Sequence, residues 1–202
     1  MTYYGQRETD KQIERYFPGL IGMCVEVGAY DGVKGSNTLY FEEKGWECLC
    51  IEPNPFVFPK LCKNRKWCVP AAVDNYIGCG DLEIFDFESG IQSSLTSLDC
   101  DPRLVKDYAD AITKRQHWPV AVRTLNDIFH LEKIKHVDFI SIDTEGTELR
   151  VLQGLNLRAY KPKLLVVENN YDDWEITDYL DKQGYQFIER WFVNNFYVRR
   201  DG

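Results

Sequence analysis

The stretch Val25-Glu26-Val27-Gly28-Ala29-Tyr30-Asp31-Gly32 constrains this chain most. It reads as an apolar strand with an acid near its end that breaks into glycines. A second apolar run, closing on Ile51-Glu52-Pro53-Asn54-Pro55, follows about two dozen residues later. Between them Leu39, Tyr40 and Phe41 sit in a segment that starts at Ser36, a helix-capping residue, and stops at Gly45. Strand, glycine turn, helix and strand make a βαβ unit, and repeated units of that kind build a parallel sheet.

The same alternation continues. Thr9 to Phe17 reads as a short helix and Met23 to Val27 as the first strand. Trp46 to Ile51 is a second strand, Asn54 caps a helix reaching Lys63, and Trp67 to Val73 is a strand interrupted by Pro70. Leu82 to Phe87 and Val120 to Arg123 are strand-like. Between these two, a polar loop with a helix over Leu104 to Lys114 is expected, an insertion over about 91–118 on the sheet edge. Leu125 to Leu131 is helical, and Val137 to Ile142 is apolar throughout, as a strand covered on both faces should be. Glu148 to Leu155 is a helix ended by Asn156, Leu164 to Val167 a strand, and Trp174 to Lys182 a helix. Tyr185 to Trp191 and Phe196 to Arg199 read as a hairpin turning at Val193-Asn194-Asn195. The expected fold is α/β: a Rossmann-like, mostly parallel sheet with helices on both faces, a C-terminal antiparallel hairpin, and a single domain over 1–202.

Bulk properties narrow the function. A formal net charge of −8 disfavours gripping a phosphate backbone, so nucleic acid is not the expected substrate. Small molecules, glycans or proteins are. No apolar run approaches the ~20 residues of a membrane span, and the first residues lack the apolar core of a signal peptide. Seven cysteines without a Cys-x-x-Cys pair read as reduced thiols, hence a cytoplasmic protein.

In an open α/β sheet ligands bind beyond the carboxyl ends of the strands. Four of those ends carry acids: Glu26, Glu52, Asp143-Thr144-Glu145-Gly146, and Glu168-Asn169-Asn170. Glycine lets backbone approach a ligand closely, and a carboxylate ending the second strand can accept from both ribose hydroxyls. The cofactor therefore carries a nucleoside. A dinucleotide site wants Gly-x-Gly-x-x-Gly, whereas Gly28, Gly32 and Gly35 do not fit that spacing, and Glu26 would repel a pyrophosphate. S-adenosylmethionine suits an acidic turn, since it offers an ammonium, a sulfonium, and a ribose for Glu52.

These motifs resemble the FkbM-type family of S-adenosylmethionine-dependent methyltransferases. The resemblance rests on Gly5-Gln6, on Val25 to Gly32, on Ser36-Asn37-Thr38, and on Ile51 to Pro55. It extends to Val137 through Gly146 followed by Glu148, Leu149, Val151, Leu152 and Gly154. It implies a methyltransferase fold and O-methylation of sugars or natural products. Cofactor contacts are then expected from Gln6, from Glu26, Gly28, Ala29, Tyr30, Asp31 and Gly32, from Asn37 and Thr38, and from Glu52, Pro53 and Asn54. Asp143 also faces the cofactor. Ala72 would line the base, Asp74 would accept from the adenine amino group, and Ser93-Ser94 resembles a serine pair in the family's loop. Two departures touch the acceptor side: Arg7 follows Gly5-Gln6 where the family often has an acid, and Asn126-Asp127 replaces Asp-Asp.

Methyl transfer to a hydroxyl needs alignment and a base. Asp143 is the first choice as base, with the alternative that it only holds the cofactor's ammonium or a backbone turn. Glu145 is either catalytic or a cap on the following helix. Asp143, Glu168 and Asn169 together would suit Mg²⁺. His117, His130 and His136 lie away from strand ends and read as surface or capping residues. Tyr108, His117 and Trp118 are expected to shape the acceptor pocket. Two other readings remain open here: a nicotinamide-dependent oxidoreductase, and a non-catalytic binding domain on the same fold.

Overall fold

The computed structural model describes residues 2–87 and 95–200. Ser93 and Ser94 lie outside the described residues. A short 3-10 turn, Gln6–Glu8, leads into α1 (Thr9–Glu14) and β1 (Met23–Val27). Next come α2 (Leu39–Glu43), β2 (Glu47–Ile51), α3 (Phe58–Asn64), β3 (Trp67–Val69) and β4 (Ala72–Val73). The middle holds β5 (Gly78–Phe87), β6 (Thr96–Ser97), α4 (Pro102–Asp107) and β7 (Ile112–Arg123). Then follow α5 (Leu125–Leu131), β8 (Phe139–Ile142), α6 (Glu148–Gln153), α7 (Leu157–Tyr160) and β9 (Leu164–Glu168). The last elements are α8 (Trp174–Lys182), β10 (Tyr185–Trp191) and β11 (Asn194–Arg199).

Seven strands form one sheet in the order β10-β11-β9-β8-β1-β2-β3. β3, β2, β1, β8 and β9 pair in parallel, and β11 runs antiparallel between β9 and β10. Alternation along each strand sends neighbours to opposite faces. Val25, Leu49, Ile140 and Leu165 meet α5, α6 and α8 through Phe129, Leu152 and Leu180 on one face. Cys24, Cys48, Phe139 and Val166 meet α1 and α2 through Ile13, Phe17, Tyr40 and Phe41 on the other. With both faces covered, β1, β8 and β9 are buried along their whole length, which is why their sequences are apolar runs. Strand order reverses at β1, between β2 and β8, so the carboxyl ends of these strands flank the switch point where ligands bind.

The middle of the chain differs from expectation. Pro70 does more than interrupt a strand: β3 stays with the large sheet, while β4 joins a second sheet ordered β4-β7-β5-β6. The expected helix over Leu104 to Lys114 ends at Asp107, and Ile112 to Trp118 is strand, paired with β5 through Phe87 to Leu82. Its exposed Thr113, Lys114 and Arg115 give it a loop-like composition, so only pairing with β5 reveals it. Pro119 is tolerated there because β4 reaches only Val122 and Arg123, leaving its backbone nitrogen with no strand to bond. The terminal hairpin also turns earlier than expected. Phe192 takes φ 56° and forms the turn with Val193. Asn194 and Asn195 lie buried in β11, opposite Glu168 and Val167.

Candidate active site

The turn after β1 is drawn tight against the end of β8. Gly28 has φ 83°, and a Cβ there would lie 1.7 Å from the Asp143 carbonyl oxygen, so glycine is required. The amides of Gly28 and Ala29 both donate to the Ile51 carbonyl, at 3.0 and 3.1 Å, tying the turn to the end of β2. Glu52 completes the tie. Its carboxylate accepts from the Tyr30 amide through one oxygen and from the Asn54 amide through the other, each at 2.8 Å. Burial pushes its carboxyl up to about 7, against the lowering effect of those two amides.

Behind this wall lies a buried polar network that sequence reasoning missed. Glu26 accepts from the Ser36 and Thr38 hydroxyls, each at 2.7 Å, and from the Asn37 amide at 2.6 Å. Arg65, just past α3, donates to Glu26 at 3.2 Å and to Glu42 at 2.8 Å. It also reaches the Thr38 and Ser36 hydroxyls and the Gly32 carbonyl. Nothing in the composition around Arg65 marks it out among the neighbouring lysines and arginine-like surface positions. Its role exists only because α3 packs beside β1 and α2.

Beyond the network, three carboxylates converge. Ligand oxygens of Asp143, Glu145 and Glu168 lie within 4.8 Å of one another, and Asp143 and Glu168 are hydrogen-bonded. All three titrate above the ordinary carboxylate range. For each the first cause is burial; the negative charge of Glu148 adds to it, and that of Asp143 adds further at Glu145 and Glu168. Asp143 and Glu145 keep some solvent-accessible surface only because they face a cleft. Two close buried acids of this kind share a proton. Glu145 has φ 59°, a conformation that non-glycine residues rarely adopt, followed by Gly146 at φ 121°. Such backbone is held where surrounding structure dictates it. Here Glu148 dictates it, accepting from the Thr144 amide at 2.9 Å, the Thr144 hydroxyl at 3.0 Å and the Gly146 amide at 3.1 Å. The capping role considered for Glu145 therefore belongs to Glu148, which leaves Glu145 turned into the cleft.

The cleft has a volume of about 760 Å³, within the range of small-molecule sites. Gln6, Glu26, Gly28, Ala29, Tyr30, Asn37, Glu52, Pro53, Ala72, Asp143, Glu145 and Glu168 all line it, as does Tyr108. Gln6 reaches it because Gly5 bridges to Gly35 and the Asp10 carboxylate holds the Tyr4 amide at 2.7 Å.

Other expected residues are spent elsewhere. Asp31 caps its own turn through the Val33 and Lys34 amides. Gly32 packs on Arg65 and Leu61, Thr38 donates into the Glu26 network, and Asn54 accepts from the Phe56 amide. Asp74 is buried and paired with Arg150 at 3.1 Å rather than turned to the cleft. Asn169 closes the loop to Asp173 with two hydrogen bonds, so Glu145, not Asn169, completes the acidic trio. His117 and His136 pair with Asp81 and Asp138 on the surface. Trp118 packs edge-on against Phe56, away from the residues that line the cleft.

A family profile for the methyltransferase FkbM domain matches residues 26–187. The chain belongs to the FkbM methyltransferase family. It is thereby an S-adenosylmethionine-dependent methyltransferase. No curated protein matches the chain. Among solved structures, the methyltransferase domain of METTL16 aligns at 12% identity and a TM-score of 0.50, covering 96% of this chain and 65% of that one. A TehB-like SAM-dependent methyltransferase from Corynebacterium glutamicum aligns at 12% identity and a TM-score of 0.47, covering 98% and 89%. At such identities the likeness concerns the fold alone. The residues of this FkbM domain fit the family's cofactor on their own chemistry. The Asn37 side-chain oxygen is buried at the cleft wall with no hydrogen-bond partner among the described residues, and it awaits a donor. The carboxylates that line the same cleft suit a ligand bearing positive charge.

Proposed function

We propose that this FkbM methyltransferase methylates a hydroxyl of a sugar, glycan or natural-product acceptor, with Asp143 as the base. The observation that carries the reading is the trio Asp143, Glu145 and Glu168 beside the Gly28 turn, its carboxyls lifted above their ordinary range and Asp143 to about 7. A carboxylate held in water near pH 4 is a weak base; one lifted by burial is matched to proton removal near neutrality. S-adenosylmethionine supplies an electrophilic methyl group on a cationic sulfur. Glu52 would hold the ribose hydroxyls, using the lone pairs left after Tyr30 and Asn54, and Asn37 would accept from the ammonium. Asp143 takes the acceptor's proton and passes it to the hydrogen bond with Glu168. Tyr108 stands on the acceptor side of the cleft, and no contact with nucleic acid is required.

A divalent cation is the second reading, favoured by the spacing of the three carboxylates. It would lower the pKa of the acceptor hydroxyl and replace the shared proton. Location follows the thiols: all seven cysteines are free, as in a reducing cytoplasm. Among the described residues no helix is long and apolar enough to cross a membrane.

Calorimetric titration with S-adenosylhomocysteine, with and without Mg²⁺ and with NAD as control, tests the cofactor half. Micromolar binding of the first alone is expected; tighter NAD binding would overturn it. Methyl transfer from labelled cofactor across hydroxyl and amine acceptors tests the other half, and turnover confined to amines would refute O-methylation.

Glu52 gives a sharper test. Glu52→Ala should weaken S-adenosylhomocysteine binding tenfold or more, because each charge-assisted bond contributes about 1.5–3 kcal/mol and 1.4 kcal/mol is a factor of ten. Glu52 also sets a pH dependence. Its folded-state carboxyl titrates near 7, above the unfolded value of 4.5, so its stabilising contribution is complete below about pH 4.5 and is lost as pH rises to 7. Relative to Glu52→Gln, the cofactor-free wild type should lose about 3 kcal/mol across that window. A gap between the two melting curves that stays constant from pH 5 to 8 would sink the assignment.

A further inference from the structure

Five of the seven cysteines lie on or beside the β1-β2-β3 end of the sheet. Cys24 and Cys48 are register partners, and so are Cys50 and Cys68. Cys62, on the last turns of α3, is exposed, and its thiol lies near enough to the half-buried Cys68 to add to the upward push on it. The Cys24 and Cys48 sulfurs are 2.9 Å apart but both are buried in the aromatic cluster of Phe41, Trp46 and Phe139. Burial pushes the Cys24 thiol far up. No solvent-borne oxidant reaches that buried pair. The outer pair differs in one respect that decides reactivity: Cys62 faces water.

We propose that Cys62 and Cys68 form a reversible disulfide under a peroxide oxidant, and that this bond regulates cofactor binding through Arg65. The Cys62 thiolate attacks a peroxide oxygen, the O–O bond breaks, and hydroxide leaves a sulfenic acid on Cys62. The Cys68 sulfur then displaces the sulfenic hydroxyl, giving the disulfide. In sum, two thiols and one hydrogen peroxide yield one disulfide and two waters. Cys68 suits the resolving role, since burial keeps it a thiol until a sulfenic acid is presented.

The link to the site is short. Arg65 lies between the two cysteines in sequence, and its carbonyl is 3.8 Å from the Cys68 sulfur. Its guanidinium is the cation that neutralises Glu26 and Glu42 behind the cleft wall. Closing a ring across residues 62–68 draws the end of α3 towards β3 and shifts the backbone that carries Arg65. Ser36, Asn37 and Thr38, all held through Glu26, shift with it.

The test treats the folded, full-length protein with hydrogen peroxide and counts thiols after denaturation. Free thiols should fall by two from seven, with one peptide pair linked through Cys62 and Cys68. S-adenosylhomocysteine affinity should drop threefold or more and recover with dithiothreitol. Cys62→Ser should bind normally and resist both changes. Stepwise oxidation of Cys62 to sulfinic acid with Cys68 still alkylable would overturn the disulfide. A linked pair with unaltered affinity would overturn the regulation. Because this rests on the cofactor reading, the reduced protein is the control: no binding there indicts that reading, whereas normal binding there with no loss of thiols indicts this one.

Discussion

Arg65→Met should cost about 3–5 kcal/mol of stability, the range for removing one partner of a buried ion pair. Arg65 is only 4% exposed, and the two carboxylates it neutralises, Glu26 and Glu42, are 5% and 6% exposed. Methionine fills much of the volume but leaves both acids without a cation in a medium that does not solvate them. For a chain of this length the melting temperature should fall by about 6–20 °C. Lysine is not a substitute, because it offers a point charge where Arg65 spreads three nitrogens over Glu26, Glu42, Thr38, Ser36 and Gly32. Adding Glu26→Gln and Glu42→Gln to Arg65→Met should recover part of the loss, since no buried charge then remains unpaired. A single-mutant melting temperature within 2 °C of wild type would show that the network carries no stabilising charge pairing.

Asp143→Asn should lower kcat by about 10²–10⁴, the usual contribution of a positioned acid or base. Affinity for S-adenosylhomocysteine should change by less than threefold. The asparagine keeps shape and hydrogen bonding but cannot take a proton. A pH profile separates this role from mere placement. Burial, with the negative charge of Glu148 next, lifts the Asp143 carboxyl to about 7. A base works only when deprotonated, so the wild-type rate should rise with pH through about 7, and the variant should lose that rise. Equal losses in rate and in cofactor affinity would make Asp143 a binding residue instead.

Both expectations turn on the same physics in opposite senses. Arg65 compensates buried charge and so stabilises; the acidic trio leaves charge uncompensated and so is primed for a cation or a proton. Lifting three carboxyls together works against stability in the empty protein, a cost commonly met at functional sites.

The sequence by itself determined the large sheet and the acids at its edge. Apolar runs at Met23–Val27, Phe139–Ile142 and Leu164–Glu168 can only be strands covered on both faces, and a strand's carboxyl end follows from its direction. Glu26, Glu52, Asp143 and Glu168 were therefore legible as neighbours before any coordinates. Tertiary structure decided how those acids are spent. Glu26 turned out to be held by Arg65, a residue that no local pattern singles out, because its partners come from β1 and α2. Glu148 took the loop-capping role and freed Glu145, a choice fixed by the left-handed turn at Glu145-Gly146. The strand β7 was hidden because its exposed half is polar and its order comes from pairing with β5, a partner some thirty residues away. Periodicity reports what a segment buries, and so reveals elements that bury much. Pairing and ion compensation depend on which distant segments meet, and only the folded chain supplies that.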